Sequence, residues 1–503
     1  WMMGPLGWLA RSAEHAVDLF AGGRAIFLGV FWLNLLLLAL STGERLRTFR
    51  GGLVLLAAAT LAPLWDFGFE IRHDNLLLTG LLLLWWLGRA RPGGSRSYLL
   101  LGALGAWLPL LAFKAVAYVV PLSLAFLAFP PPGHGLTRKR AAGAWGLGFL
   151  LGALLAGIAY KVSGTGGLFL EGLRAGVATG EGGSRFGPMV ALERLPLQIP
   201  LILSLAAAGL VQLALGWRRD RSAVLRWEGP LPEALLSLGS LVLLALNPTP
   251  FPYNLVVVVP FLFLLAHRTV EPHLEGGWAK EEVRPLLGGV VLFTHLLPFG
   301  LATARHLQWP NTRQEALMRA AEVMTDPATD PVYDAVGMVP TRASIGYHWY
   351  LHSLNIQAFA EGRIPPVSKM LTDRPAPVLI RSYRMDWLPE SEQRFLAERY
   401  VPLADDFWVL GGVLPEGGGT YEVVHPGRYL LLGMDAQGAP APEPGGQVDG
   451  KPAGSTPIRL ERGTHQIRMA PGLRPTLLWV GPKLQGLPRL GGGDHLQLFV
   501  NWY

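Results

Sequence analysis

The sequence predicts a polytopic α-helical membrane protein with about ten spans, followed by an external C-terminal region of α/β and β structure. Of its 503 residues, 50% are hydrophobic and 16% are charged, and the mean hydropathy is +0.32. This composition is too apolar for an ordinary water-soluble enzyme of this length. Long apolar runs occupy the chain as far as Ala304, and shorter segments with strand and turn signals replace them beyond it.

Ten apolar segments are predicted to cross the membrane. A hydrocarbon core of about 30 Å needs roughly 20 helical residues that rise about 1.5 Å each. Some of the segments are shorter, so they would have to include flanking polar residues or thin the bilayer locally. The predicted spans are Ala25–Leu40, Leu53–Trp65, Leu76–Leu87, Leu99–Phe113, Ala115–Phe129, Ala142–Tyr160, Pro200–Trp217, Leu231–Asn247, Leu255–Ala266 and Leu286–Ala304.

Alternate loops between these spans are basic, which sets the predicted orientation. Arginine and lysine cluster at 45–50, 89–96, 138–140, 218–226 and 268–284. The positive-inside rule places these loops in the cytoplasm. The C-terminal region is then external or periplasmic, on a multi-pass protein of the cell (inner) membrane. The segment Trp1–Arg24 is external too, so we expect a further span upstream of Trp1.

Composition also excludes several kinds of chemistry. The chain has no cysteine, which rules out a disulfide, a thiolate metal site and a cysteine nucleophile. The net charge of +7 is spread over short clusters rather than one stripe, so no nucleic-acid partner is expected. The glycine-rich segments lack the lysine of a P-loop, so nucleotide hydrolysis is not expected. His348 and His352 have the spacing of helical metal ligands, but no third ligand is evident, and no metal site is predicted.

The external loop Phe67–Asn75 (FGFEIRHDN) carries an unusual density of charge between two apolar runs. Glu70 and Asp74 would face the same way if the loop led helically into the next span. Arg72 and His73 would then lie around the axis from them. Two carboxylates with adjoining cations can take up a hydroxyl proton and stabilise a phosphate leaving group. The alternative is that each charge is a solvated helix end.

Two other external segments complete the predicted site. Lys114 interrupts the apolar stretch 99–129, and we expect it to meet an anion at an external turn rather than to snorkel to the interface. The proline-rich loop NPTPFPYN (Asn247–Asn254) is suited to stack on a sugar or to cover a lipid tail, or it is a plain connecting turn. The predicted catalytic residues are Asp74 and Glu70, and the predicted substrate-binding residues are Arg72, His73, Lys114, Arg185, Tyr253 and Asn254, with Arg174 and Arg194 as further cations.

Three of these motifs, in this order and on one side, resemble a known family. They are EIRHDN (Glu70–Asn75), FKAVAY (Phe113–Tyr118) and PTPFPYN (Pro248–Asn254). Over Trp1–Ala304 the chain resembles the GT-C glycosyltransferases, and within them the bacterial relatives of protein O-mannosyltransferases and lipid A aminoarabinose transferases. The resemblance implies a sugar donor on a polyprenyl phosphate. An acceptor hydroxyl would attack the anomeric carbon with inversion at the external face, and the lipid phosphate would leave.

The chain departs from the family pattern at its start. The resemblance implies a main catalytic base in the first external loop, but Glu14 and Asp18 are the only acidic residues before the first predicted span. Their stretch, ARSAEHAVDLF, resembles the membrane-surface helix that follows that base. The base is therefore expected upstream of Trp1, and Asp74 and Glu70 would orient the acceptor or bind a cation.

The C-terminal region is predicted to contain an α/β unit and then β structure. Gln314–Met324 and Ser391–Tyr400 have helical patterns, and Pro377–Tyr383 has the pattern of a strand. Further strands are predicted in TYEVV, RYLLLG, IRLERGTHQIRM and TLLWVG. The predicted domains are a transmembrane catalytic domain at 1–304, an external α/β region at 305–415 and an external β module at 416–503.

The stretch Val448–Met469 resembles the surface β module called PEGA, which implies a non-catalytic role. Asp449-Gly450 is suited to a tight turn, Pro457 to the start of an edge strand, and Arg462-Gly463 to a turn into the next strand. Asp405 and Asp406 are expected on the surface of a loop.

The sequence therefore predicts an enzyme, a membrane glycosyltransferase of the cell envelope. Its partners would be a polyprenyl-phosphate sugar donor, membrane lipid and a hydroxyl acceptor on a protein, lipid or glycan. No cofactor is assigned, and a divalent cation is left open. The alternatives are a secondary transporter or lipid flippase, which needs charge near mid-membrane and internal symmetry, and a membrane scaffold. Neither the sugar nor the acceptor follows from the sequence.

The orientation can be tested by thiol labelling, because the chain has no cysteine of its own. Single cysteines at His73 and Gln437 should react with a membrane-impermeant maleimide in intact spheroplasts. A cysteine at Lys139 should react only after the membrane is opened. If positions 73 and 139 are labelled from the same side, the predicted topology is wrong.

Overall fold

The computed structural model describes residues 13–496, apart from 91–93, 113, 129–135, 165, 168–190, 221–229, 247–250, 276–283, 308–310, 347–349, 438–439, 442–444, 455, 485, 489 and 492. Over these residues the chain is mostly helical as far as Leu307 and β-rich beyond Tyr400. The buried hydrophobic residues form two clusters, one between Phe31 and Ala266 and the other between Leu317 and Trp479.

Among the described residues, five helices are long and apolar enough to cross a membrane. They are Ala16–Ser41, Arg138–Val162, Pro200–Arg219, Pro252–His273 and Gly288–Leu307. The helices that overlap the remaining predicted spans contain 18 residues or fewer. The chain therefore has the character of a membrane protein.

The helical region contains thirteen labelled helices within its described residues. They are α1 (Ala16–Ser41), α2 (Phe49–Ala59), α3 (Ala62–Phe67), α4 (His73–Trp85), α5 (Gly94–Leu111), α6 (Ala115–Ala128), α7 (Arg138–Val162), α8 (Leu195–Gln198), α9 (Pro200–Arg219), α10 (Leu231–Leu246), α11 (Leu255–Glu275), α12 (Arg284–Val291) and α13 (Leu297–Leu307). A π-helical turn, Leu292–Leu296, joins the last two.

The predicted span Leu53–Trp65 is divided into α2 and α3. Thr60 ends α2, and Pro63 occupies the first turn of α3, where its missing N–H costs no hydrogen bond. The Thr60 hydroxyl donates to the Leu56 carbonyl (2.9 Å) and lies 2.9 Å from His295 Nε2 on the π-helical turn. This break directs α3 toward the loop 68–72.

The start of α1 packs against the C-terminal region. From Ala16 onward, the stretch that resembles a membrane-surface helix is continuous with the helix of the first predicted span. The Ala16 N–H donates to Glu322 Oε1 (2.7 Å), and His15 Nδ1 lies 3.1 Å from the other oxygen of the same carboxylate. A carboxylate at this position is stabilised by the positive end of the helix dipole.

The other end of α1 lies at the opposite face of the helical region. Glu44, just beyond Ser41, lies 3.8 Å from His267 in α11. The basic cluster 45–50 follows directly. The contact with Glu322 and the basic cluster 45–50 are therefore at opposite ends of this helix.

Within its described residues, the C-terminal region combines four α-helices with two sheets. The helices are α14 (Thr312–Met324), α15 (Ser353–Ala360), α16 (Val367–Asp373) and α17 (Glu390–Arg399), and the strands are β1 (Val332–Tyr333), β2 (Val378–Ile380), β3 (Tyr400–Ala404), β4 (Phe407–Val413), β5 (Gly418–Val423), β6 (Gly427–Met434), β7 (Gly446–Val448), β8 (Lys451–Ala453), β9 (Ile458–Leu460), β10 (Gly463–Arg468) and β11 (Arg474–Trp479). The predicted helices and strands of this region are thus confirmed.

A seven-stranded sheet has the order β1-β2-β4-β11-β6-β9, with β3 beside β4, and a four-stranded sheet has the order β5-β10-β7-β8. Among the strands that the structure describes, only β1 and β2 pair in parallel. Strands from both sides of the predicted boundary at residue 415 are paired in the larger sheet.

Two local predictions in this region have opposite outcomes. Asp449 and Gly450 have φ values of 51° and 75° and join β7 to β8, which is the geometry of a two-residue hairpin turn, so the predicted tight turn is confirmed. The expectation that Asp406 lies on the surface is wrong. Its side chain is fully buried and paired with Arg313 of α14, which sequence pattern alone does not show.

Candidate functional site

The charged loop 68–72 is held in place by the buried side chain of Asn75. Its Nδ2 donates to the carbonyl oxygens of Phe67 (3.0 Å) and Glu70 (2.9 Å). Asn34 of α1 donates in turn to the Asn75 carbonyl (3.0 Å). Buried backbone carbonyls need donors, so this amide fixes the loop geometry. Asn75 is therefore a positioning residue for Glu70.

The loop enters α4 through an extended residue rather than a helical one. Arg72 has φ −136° and ψ 142°, and the helix begins at His73. The expectation that Glu70 and Asp74 share one helical face is therefore wrong. They are brought together by Arg72 instead, whose Nε lies 3.7 Å from Glu70 Oε2 and 3.4 Å from Asp74 Oδ2.

Asp74 and Lys114 form the central ion pair of the site. Asp74 is 1% exposed, and Lys114 Nζ contacts its Oδ1. The same ammonium group donates to Asn254 Oδ1 at 2.7 Å. The pair thus joins the start of α4, the turn before α6 and the 3₁₀ turn Pro252–Asn254 before α11.

Tyr253 covers the guanidinium group of Arg72. The Arg72 Cζ lies 3.4 Å from the centroid of the Tyr253 ring, and Lys114 Nζ lies 5.9 Å from it. Both distances are within the range of cation–π attraction. His73 is half exposed, with its Nε2 3.8 Å from Asp74 Oδ2.

Seven of the eight residues predicted for the site therefore lie together: Asp74, Glu70, Arg72, His73, Lys114, Tyr253 and Asn254. The eighth, Arg185, lies outside the described residues, as does Arg174. Arg194 is described and lies at the end of a 3₁₀ turn, but no contact places it in this cluster.

Glu70 differs from Asp74 in its surroundings. Its side chain is 3% exposed, and within the described part of the chain neither carboxylate oxygen accepts a hydrogen bond. Burial raises the pKa of Glu70 to about 8, against the opposing effects of Arg72 and Arg24 and with a smaller contribution from Asp74 and Asp66. Glu70 therefore gains and loses its proton close to neutral pH.

Sequence reasoning missed several neighbours of these residues. Arg24 of α1 interacts electrostatically with Glu70. Asp66, buried in α3, lies 3.2 Å from Gln198 Nε2 and 3.2 Å from His306 Nε2 in α13. Arg24 borders an apolar segment as Lys114 does, so the same signal would have found it. The partners of Asp66 come from distant segments and had no local signal.

The arrangement can hold an anion beside a proton acceptor. Arg72 and Lys114 share the ionised carboxylate of Asp74. Arg24 interacts with Glu70, so positive charge remains for an anion whether Glu70 is protonated or ionised. Groups whose pKa is shifted by burial beside charged partners are typical of functional sites. Comparisons with family models, with curated proteins and with solved structures find no match for this chain.

The Asp74–Lys114 pair predicts a specific pattern of stability. Asp74→Asn leaves an unpaired lysine and Lys114→Met leaves an unpaired aspartate, and each change should destabilise the protein by about 3 kcal/mol. The destabilisation of the double variant should be at least about 1 kcal/mol smaller than the sum of the two single effects. Denaturation of the purified protein in detergent measures this coupling.

The matched control is Lys161→Met, because Lys161 is exposed in the last turn of α7. This change should alter stability by less than about 1 kcal/mol. Strictly additive effects of Asp74→Asn and Lys114→Met would show that the two side chains do not interact.

Proposed function

We propose that the chain is an inverting glycosyltransferase of GT-C type, which uses a polyprenyl-phosphate sugar donor at the external face of the membrane. The observation that carries this proposal is the buried Glu70 carboxylate. It makes no hydrogen bond among the described residues and lies 3.7 Å from Arg72, beside the Asp74–Lys114 pair. A proton acceptor thus lies next to cations at the ends of apolar helices.

The donor phosphate would bind to Arg72 and Lys114. A polyprenyl chain stays in the lipid, so its phosphate lies at the level of the helix ends. Charge-assisted hydrogen bonds from a guanidinium and an ammonium group stabilise such an anion. Asp74 keeps both cations in place, because one of its oxygens contacts Lys114 Nζ and the other lies near Arg72 Nε.

The reaction requires one proton transfer and one displacement. The acceptor oxygen forms a bond to the anomeric carbon while the bond from that carbon to the phosphate oxygen breaks. The electron pair of the broken bond goes to the polyprenyl phosphate, where Arg72 and Lys114 stabilise it. Ionised Glu70 takes the hydroxyl proton, a role for which a pKa near 8 is well matched. In this proposal the base is Glu70 instead of the residue upstream of Trp1 that the family resemblance implies.

The transporter and flippase alternatives have a different requirement. They need charged groups along a path near mid-membrane. The described charges of the site lie at helix ends: Arg72 and His73 at the start of α4, and Lys114 just before α6. This placement favours chemistry at a boundary.

The first test replaces the proposed base. Glu70→Gln should lower the rate of sugar transfer from the polyprenyl-phosphate donor at least about 100-fold, because an amide cannot accept the proton. Glu390→Gln is the control, since Glu390 is exposed on α17, and it should leave the rate unchanged. Full transfer by a folded Glu70→Gln protein would exclude Glu70 as the base.

The second test uses pH. The pKa of Glu70 lies above that of an ordinary glutamate, so the ionised base appears only as the pH rises through about 8. The initial rate should therefore increase between about pH 7 and 9. Arg72→Gln should move the midpoint to higher pH, because Arg72 lowers the pKa of Glu70. A profile already flat at pH 6 contradicts the assignment.

A further inference from the structure

The segment YHWYLHS brings a residue of the C-terminal region to the helical site. Within it the structure describes the residues from Tyr350 to Ser353. Tyr350 lies near enough to influence both Arg72 and Tyr253 electrostatically. The C-terminal region therefore comes close to the part of the site that contains Arg72 and Tyr253.

Tyr350 is held by hydrogen bonds of its own backbone and of its neighbour. Its carbonyl accepts from Asn355 Nδ2 at 2.7 Å, and the Leu351 N–H donates to the Ala335 carbonyl at 3.0 Å. Ala335 has φ 61°, a conformation that costs a non-glycine residue energy. The preceding Asp334 stabilises this turn by accepting four backbone N–H bonds, from Val336, Gly337, Met338 and Val339.

Arg384 fixes the ring of Tyr350 from the other side. Its Cζ lies 4.8 Å from the Tyr350 ring centroid, 5.7 Å from that of Tyr383 and 5.9 Å from that of Trp387. It donates to the Leu351 carbonyl (2.9 Å) and to the Tyr383 hydroxyl (3.2 Å), and it is hydrogen-bonded to Tyr350. Arg384 is thus a positioning residue for Tyr350.

We propose that Tyr350 contacts the sugar of the lipid-linked donor, opposite Tyr253, and that Arg384 positions it for this contact. The inference rests on the proposed function. A sugar joined to a phosphate at Arg72 and Lys114 must project away from the lipid, toward the C-terminal region. A tyrosine offers an apolar ring face and a hydroxyl, which together match the apolar face and the hydroxyl groups of a sugar.

Lipid binding to the full chain in nanodiscs tests this inference. The probes are a polyprenyl phosphate without sugar and a panel of polyprenyl phosphates that each carry one hexose or pentose. The wild type should bind the preferred sugar-bearing lipid more tightly than the bare lipid. Tyr350→Phe and Arg384→Lys should each weaken binding of the sugar-bearing lipid about fivefold and leave the bare lipid unaffected.

Two further variants calibrate the measurement. Lys114→Met should weaken the binding of both lipids, because it removes a cation that contacts the phosphate they share. Tyr400→Phe removes one hydroxyl, which donates to the Ala376 carbonyl at 2.9 Å inside the C-terminal region, and should change neither.

The outcomes separate this inference from the function on which it rests. If Tyr350→Phe and Arg384→Lys change the affinity for both lipids equally, or for neither lipid, the sugar contact is refuted while lipid-phosphate binding stands. If the wild type binds the bare lipid and prefers no sugar-bearing lipid, the inference is also refuted. If it binds neither lipid, the proposed function fails, and the inference fails with it.

Discussion

Lys114 is the residue on which three segments of the helical region depend. Its ammonium group contacts Asp74 at the start of α4 and donates to Asn254 in the turn before α11. A lysine placed in hydrocarbon would cost several kcal/mol, so the chain between α5 and α6 must reach a boundary at this point. The long apolar stretch is thereby divided into two helices. The division brings the turn to the same place as the loop 68–72.

The position of Lys114 also explains why the neighbouring carboxylates of Asp74 and Glu70 have different surroundings. Asp74 has Lys114 and Arg72 as partners, and its charge is compensated. Glu70 is similarly buried, but Arg72 lies 3.7 Å from its carboxylate and is shared with Asp74. Burial without a hydrogen bond favours the protonated acid. One ionised and one protonated carboxylate, side by side, is a common basis for acid–base chemistry.

That these charged side chains lie together could be predicted, because a membrane protein tolerates charged residues at few positions in an apolar sequence. Four of the site residues each interrupt or border an apolar run: Glu70, Arg72, Asp74 and Lys114. Residues of this kind are expected together at the boundary between the membrane and water. The detailed geometry could not be predicted. Arg72 is extended rather than helical because Asn75 holds the carbonyls of the loop, and nothing in the local pattern encodes that.

Contacts between distant segments were the least predictable part. Arg313 is 93 residues from Asp406, and the pair buries an aspartate that its loop-like sequence places at the surface. The same holds for Tyr350, which lies between His348 and His352 in the sequence and carries no functional pattern of its own. Its proposed role depends on Arg384. The two residues are brought together because β1, which precedes Tyr350, pairs with β2, which precedes Arg384.

Glu322 connects the two halves of the site. Its carboxylate holds the N-terminus of α1, the helix that carries Arg24 toward Glu70. The same carboxylate accepts from the hydroxyl of Thr341, and its backbone carbonyl accepts from Arg342, in the loop that leads to Tyr350. A displacement of the C-terminal region would therefore alter the surroundings of Glu70 as well as the position of Tyr350. The proposed proton acceptor, Glu70, and the proposed sugar contact, Tyr350, are thus both connected to one buried side chain, that of Glu322.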